Sequence, residues 1–476
     1  MSLENILEFI AYGIIWNPLL PVLFLLTGLY LTIGVKFFQF RKFNTILANT
    51  LGKIAETRRG KEPGVISQFA AWATATGATI GMGNIAGVSS AIALGGPGAV
   101  FWMWIAALFG MSTKFAEVIL GVKYREVQLD GKAYGGPPYY IERGLGEELK
   151  LPSWVWKTLA ALFTLTFCST AVISMSNYTI MEGAMTCFQL SRETSVIVGL
   201  IYALLATAIC TGFIPRVGKV AELLVPAMLV IYIGGCLGIL IKHIHNIPNA
   251  FIQIFTYAFT PAAAVGGFAG ATVTRAIQIG VARSVYSNEA GWGSAPHIHA
   301  AARVDHPVKQ GMWGIMEVFL DTIIICSITA LTVIVTGVWQ TGEGGVGAVL
   351  QAFTATYGPL AAVILYISLF LFVLTTSTGW YTYYEVEARY WLKNKPKLMN
   401  ATIRFFQIGS PFIVWAIGAV ALLYGIVPAV FWILGDITAG LPVYINLVVL
   451  LILSPIVFKE VRDYESKPIT SRRSKH

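Results

Sequence analysis

Charge is what this chain has least of. Asp, Glu, Lys and Arg make up 12% of its 476 residues, and the mean hydropathy is +0.69. A soluble domain carries roughly twice that share of charge, so a water-soluble fold is excluded. Cysteine is scarce as well. Cys168, Cys187, Cys210, Cys236 and Cys326 fall mostly inside apolar runs without ligand-like spacing, which leaves neither a disulfide framework nor a thiolate metal site. No nucleophile, base or metal motifs converge inside those runs, so the chain does not read as a membrane enzyme. A channel, which would need a continuous polar stripe or a repeated filter, is the weaker alternative to a transporter. The longest polar connections, about 36–64 and 123–153, are too short to enclose a core of their own. The first apolar run starts near Asn17 without a basic leader or a small-residue cleavage site, and reads as a retained span.

Apolar runs are abundant. About eleven are long enough to span: roughly 17–35, 65–94, 98–122, 154–181, 196–214, 220–241, 261–286, 311–338, 359–384, 401–424 and 428–457. The expected architecture is an all-α polytopic membrane protein whose main partner is the lipid bilayer. Nearly all of the 33 Lys and Arg residues fall in alternate connections, among them Lys53–Lys61, Lys123–Lys157 and the tail. By the positive-inside rule, the N-terminus lies outside and the C-terminus in the cytoplasm of a cell membrane. The net charge of +9 is therefore an orientation signal and implies no nucleic-acid partner. Residues 1–64 hold a first helix and a basic loop, 65–457 a ten-helix core, and 458–476 a polar tail. The glycine-rich outer loop 339–358 is expected to act as a lid.

Two runs are interrupted. Gly77, Gly81 and Gly83 fall within Thr76–Asn84, and each glycine weakens a helix by roughly 1 kcal/mol relative to alanine. Unwound backbone in hydrocarbon survives only where it is buried in protein or lines a cavity. A second interruption is expected at Pro261–Thr272, with Gly266, Gly267 and Gly270, about five spans later and running the opposite way. Two oppositely oriented broken helices imply an inverted five-plus-five repeat with a binding site between the breaks. Gly81, Met82 and Gly83 open the second half-helix, where free N–H groups and the helix dipole suit a carboxylate. Carbonyls from Phe268, Ala269, Gly270 and Ala271 suit an ammonium. Phe268 and Trp380 are the candidate walls that limit substrate size. Glu317 and Asp321 share a helix face, with Asp321 expected either to tune an ion site or, the favoured reading, to pair with Arg275 or Arg283. Asp436 is expected to cap or bend the last helix, and Lys114 to pair locally with Glu117. His297 and His299 lack metal-site company.

The stretch Gly77–Asn84 resembles the unwound first core helix of leucine-transporter-like sodium symporters. A closer resemblance is to the sodium:alanine (alanine or glycine:cation) symporter family. It rests on Gly83-Asn84-Ile85-Ala86-Gly87-Val88, Gly95-Gly96-Pro97-Gly98-Ala99-Val100-Phe101-Trp102 and Gly136-Pro137-Pro138-Tyr139-Tyr140-Ile141. Ser287-Asn288-Glu289-Ala290-Gly291-Trp292-Gly293-Ser294-Ala295-Pro296, Glu317–Thr322 and Gly379-Trp380 extend it over most of the chain. The resemblance implies an eleven-helix importer of a small neutral amino acid driven by Na+, with no cofactor and no other metal. It implies one sodium site from the Gly77, Ile80 and Phe372 carbonyls with the Thr375 and Thr376 hydroxyls, Thr376 also facing substrate. A second would use Thr79, Asn84 and Thr272. A proton-coupled relative of the same fold is the competing reading. The chain departs from the family pattern at Phe69-Ala70-Ala71-Trp72. It also departs at Thr170 and Ile173, which implies a more apolar pocket wall there.

Overall fold

The computed structural model describes residues 3–17, 19–54, 62–129, 131–174, 176–425 and 428–466. Most of the basic stretch 53–61 and the end of the tail lie outside the described residues. A helical turn, Phe9–Ile15, leads into α1, Leu19–Gly34. The first broken helix follows as α2, Gln68–Thr79, and α3, Gly83–Gly95, which meet at 47°. Then come α4 (Gly98–Lys123), α5 (Ser153–Cys168), α6 (Ser176–Phe188), α7 (Arg192–Cys210) and α8 (Phe213–Lys242). The second half holds α9 (Ile247–Phe259), α10 (Val273–Asn288), the short α11 (Pro296–His299) and α12 (Pro307–Val335). It ends with α13 (Gly345–Tyr357), α14 (Leu360–Trp391), α15 (Pro396–Tyr424) and α16 (Pro428–Ser466). The last helix runs through what the composition marks as the start of the tail.

Nine helices are long and apolar enough to cross a bilayer among the described residues, or ten when the bent pair α2–α3 counts as one. The eleventh expected run, 261–286, is built differently. Residues Ala262–Ala271 form a small antiparallel hairpin: Ala262 and Ala271 exchange two N–H···O bonds of 2.9 Å, and Val265 and Phe268 exchange two more. Gly266 and Gly270 take the left-handed backbone its turns require. The helix begins only at Val273, where the Thr272 hydroxyl accepts the Arg275 N–H at 3.2 Å.

The second break lies further along. Glu289 leaves α10 in the left-handed region, Gly291 and Gly293 follow at positive φ, and Pro296 opens α11. Beyond α11, Arg303 N–H bonds the Ile66 carbonyl, and Val65 N–H bonds the Ala301 carbonyl. The two broken helices are therefore joined at the basic face of the protein, where α2 starts and the second broken helix ends. They also touch at mid-length: a Cβ on Gly83 would sit 3.2 Å from the Ser287 Cα. Small residues permit this closeness, and α4 is threaded through the same centre. A Cβ on Gly280 of α10 would lie 2.4 Å from the Ala99 carbonyl oxygen of α4.

Candidate functional site

A cavity of about 120 Å³ lies where the breaks meet α14 and the α5–α6 junction. Drug-sized ligands occupy roughly 300–1,000 Å³, so this space suits a small solute. Gly81, Met82, Gly83, Thr79, Thr376 and Trp380 line it, all six from the expected set. Thr76 is the last residue whose carbonyl closes α2, bonding Ile80 N–H at 2.8 Å, and Ile80 is extended. From there the backbone is free to turn inward. The Gly81 N–H is taken by the Asn84 side-chain oxygen at 2.8 Å, which leaves Met82 and Gly83 at the start of α3.

Across from the first break, the Thr376 hydroxyl donates to the Gly77 carbonyl at 3.2 Å. Its neighbour Thr375 bonds back to its own helix, to the Leu371 and Phe372 carbonyls at 3.0 Å each, yet also abuts Gly77. Gly77, Phe372, Thr375 and Thr376 are thus brought together with the Ile80 turn.

Other expectations need correction. Phe268, Ala269, Gly270 and Ala271 do not reach the cavity. Their hairpin satisfies its own backbone and leans on residues 338–342, with Phe268 against Trp339 at a ring separation of 5.4 Å and Gly267 N–H on the Gln340 carbonyl. Thr272 is also remote. It caps the start of α10, whereas Asn84 lies beside Ser287, fifteen residues and about 22 Å further along that helix. Where Thr272 was expected, Asn84 meets Asp321 instead, its amide donating to the carboxylate at 2.7 Å. Ser287 donates to the same oxygen at 3.2 Å, and Thr322 to the other at 2.7 Å. Among the described residues no Lys or Arg nitrogen lies within 4.0 Å of the fully buried Asp321.

Arg283 pairs with Asp436 of α16, at 2.7 and 2.9 Å, and Tyr12 donates to the same carboxylate at 2.5 Å. Asp436 therefore binds helices together where a helix cap is expected. Lys114 reaches Glu317 of α12 at 3.0 Å. Glu117 instead staples the second break, accepting from Gly293 N–H at 2.9 Å and from the Asn446 amide at 2.5 Å. His297 and His299 hold α11 by contacts to Glu387 and Glu317. Among the described residues no group of three or more His, Cys, Asp or Glu is placed to hold a metal.

The second break delivers two residues that sequence reasoning passed over. The Glu289 carboxylate accepts from the Trp380 indole at 2.8 Å and from Ser294 at 2.5 Å, and Trp292 packs on Trp380 at 5.2 Å between rings. Both line the cavity. Gly291, Gly293 and Pro296 around them were the available signal. The wall at Thr170 and Ile173 is less apolar than expected, because Ser174 and Ser176 line it too. On the far side, a vestibule of about 510 Å³ is bounded by Tyr12, Arg275, Arg283 and the 342–347 segment. Arg283 lies one turn from the cavity residue Tyr286, and Asp436 adjoins the cavity residue Gly435. Their ion pair adjoins both spaces.

Paired broken helices that meet at a small chamber inside a bundle of apolar helices define a secondary transporter of the bilayer. The chain belongs to the sodium:alanine symporter family, which matches residues 1–476, and so to the amino-acid:cation symporters. It is 38% identical to an uncharacterized transporter of Haemophilus influenzae, over 98% of this chain and 96% of that one. It is 37% identical to the sodium/alanine symporter AgcS of Methanococcus maripaludis, over 95% and 97% of the two chains. Among solved structures, MhsT in complex with L-phenylalanine superposes with a TM-score of 0.59 at 14% identity, covering 85% of this chain and 99% of that one. That likeness supports the leucine-transporter-like fold.

Proposed function

We propose that this protein couples the inward flow of Na+ to the import of a small neutral amino acid by alternating access. It would sit in the cell membrane with its N-terminus outside and its basic face in the cytoplasm. The observation that carries the reading is the contact of Thr376 with the Gly77 carbonyl. Carbonyls released by a helix break there face hydroxyls on a neighbouring helix, and hard cations favour such oxygen ligands. The first sodium site is assigned to the Gly77, Ile80 and Phe372 carbonyls with Thr375 and Thr376. For the second, Thr79 and Asn84 are joined by Ser287 and Asp321 in place of Thr272. A buried carboxylate without a cationic partner is costly, and a bound cation relieves it. The substrate carboxylate is assigned to the Met82 and Gly83 amides at the start of α3, and the ammonium to the Glu289 side. Trp292 and Trp380 bound the side-chain space.

The test is uptake of labelled alanine and glycine into proteoliposomes under an imposed sodium gradient. Uptake is expected to follow that gradient. In Thr376→Ala the sodium concentration for half-maximal rate is expected to rise about tenfold, the equivalent of one lost ligand. Accumulation that ignores sodium and follows a proton gradient alone would sink the reading.

A further inference from the structure

The third core crossing, Ser153–Phe188, carries an interruption that neither glycine nor proline announces. Helix α5 ends at Cys168, one turn covers Ser169–Ala171, and α6 starts at Ser176. Backbone that leaves the helix at this depth is tolerated where it faces a cavity, and Thr170, Ala171, Ile173, Ser174 and Ser176 do line it. The hydroxyls around this gap have a definite polarity. Tyr202 has one hydrogen and donates it to the Val373 carbonyl at 3.0 Å, so in its 2.5 Å contact with Ser377 the serine must donate. Thr170 gives its hydrogen to the Phe167 carbonyl at 2.5 Å, so Tyr384 donates to Thr170 at 2.9 Å. Ser174 and Ser176 share one hydrogen bond at 3.0 Å, and Ser174 also accepts the Ser176 N–H. The Ser377 hydrogen is consumed within the protein, so Ser377 can only accept from a ligand, and the Ser174–Ser176 pair adds further lone pairs while keeping one hydrogen.

We propose that this wall is a side-chain subsite for a hydrogen donor, which makes small hydroxy amino acids, serine first, better substrates than alanine. The inference rests on the amino-acid transport reading above and narrows its substrate class. A methyl group placed against these oxygens leaves them without a partner, whereas a substrate hydroxyl donates to them.

The experiment measures sodium-driven uptake by the native protein in proteoliposomes, comparing serine with alanine and threonine with valine. The second pair is matched in size, so steric exclusion cancels. The hydroxyl member of each pair is expected to win by about tenfold in kcat/KM, the worth of one neutral hydrogen bond. In Ser377→Ala the serine-to-alanine ratio is expected to fall towards one, a ratio that loss of folded protein leaves unmoved. Alanine equal to or better than serine in the native protein, with valine matching threonine, overturns the subsite and leaves the transport reading standing. Failure of every small neutral amino acid to be taken up under a sodium gradient overturns both.

Discussion

Gly81→Ala is expected to lower sodium-driven uptake by about 100-fold, the scale on which a displacement near 1 Å at a reacting or binding centre acts. A Cβ on Gly81 would lie 2.4 Å from the Thr376 hydroxyl oxygen, far inside contact distance. Neither side can give way cheaply. Threonine is β-branched and stiff at χ1, and Thr376 is tied to the Gly77 carbonyl at 3.2 Å. The added methyl therefore pushes apart the two surfaces assigned to the first sodium site. Gly87→Ala is the control, because the nearest atom to its added Cβ is 4.0 Å away. Uptake assays on both variants, normalised to folded protein, decide the matter; equal activity of Gly81→Ala and Gly87→Ala would show that the break does not meet α14 during transport.

The largest stability effect is expected at Arg283. Its guanidinium grips Asp436 with two bonds, and the two side chains are 3% and 1% exposed. Arg283→Leu strands a carboxylate in the bundle interior, and breaking such a pair from one side costs about 3–5 kcal/mol. Tyr12 would remain, donating one hydrogen bond, but supplies no charge. Removing both partners is a different matter. Arg283→Leu with Asp436→Leu is expected to recover most of the lost stability, since a buried pair replaced by apolar side chains is often close to neutral. Thermal unfolding in detergent of the single and double variants measures this. A single variant that melts with the native protein would mean the pair is solvated from the vestibule.

The first break was legible because three glycines crowd seven residues of an otherwise apolar run. The second was sought in the wrong place for a physical reason. Residues 261–272 have proline and glycine in the density expected of an unwound crossing, but glycine equally permits a tight hairpin, and a hairpin closes its own hydrogen bonds. The break at 289–295 is shorter and lies past the apolar run, and its character comes from Glu289 and two left-handed glycines ahead of Pro296. The interruption at 169–174 left no trace of that kind in Ser169-Thr170-Ala171-Val172-Ile173-Ser174, a stretch that reads as helix or strand. The charges tell a similar story. Arg283 is 153 residues from Asp436, and Lys114 is 203 from Glu317. No window of sequence distinguishes those partners from Asp321 or Glu117.

Composition alone sets the solvent, the number of crossings to within one, and the place where the first helix must open. Each follows from residues adjacent along the chain, whose effect on a helix in hydrocarbon does not depend on what lies opposite. The chamber depends on what lies opposite. Which hydroxyl faces the Gly77 carbonyl, which carboxylate receives the Asn84 amide, and whether a glycine-rich segment folds on itself or opens towards a ligand are settled by packing. Backbone and charge must find partners within the bundle, and in lipid there is no water to take the place of a wrong one.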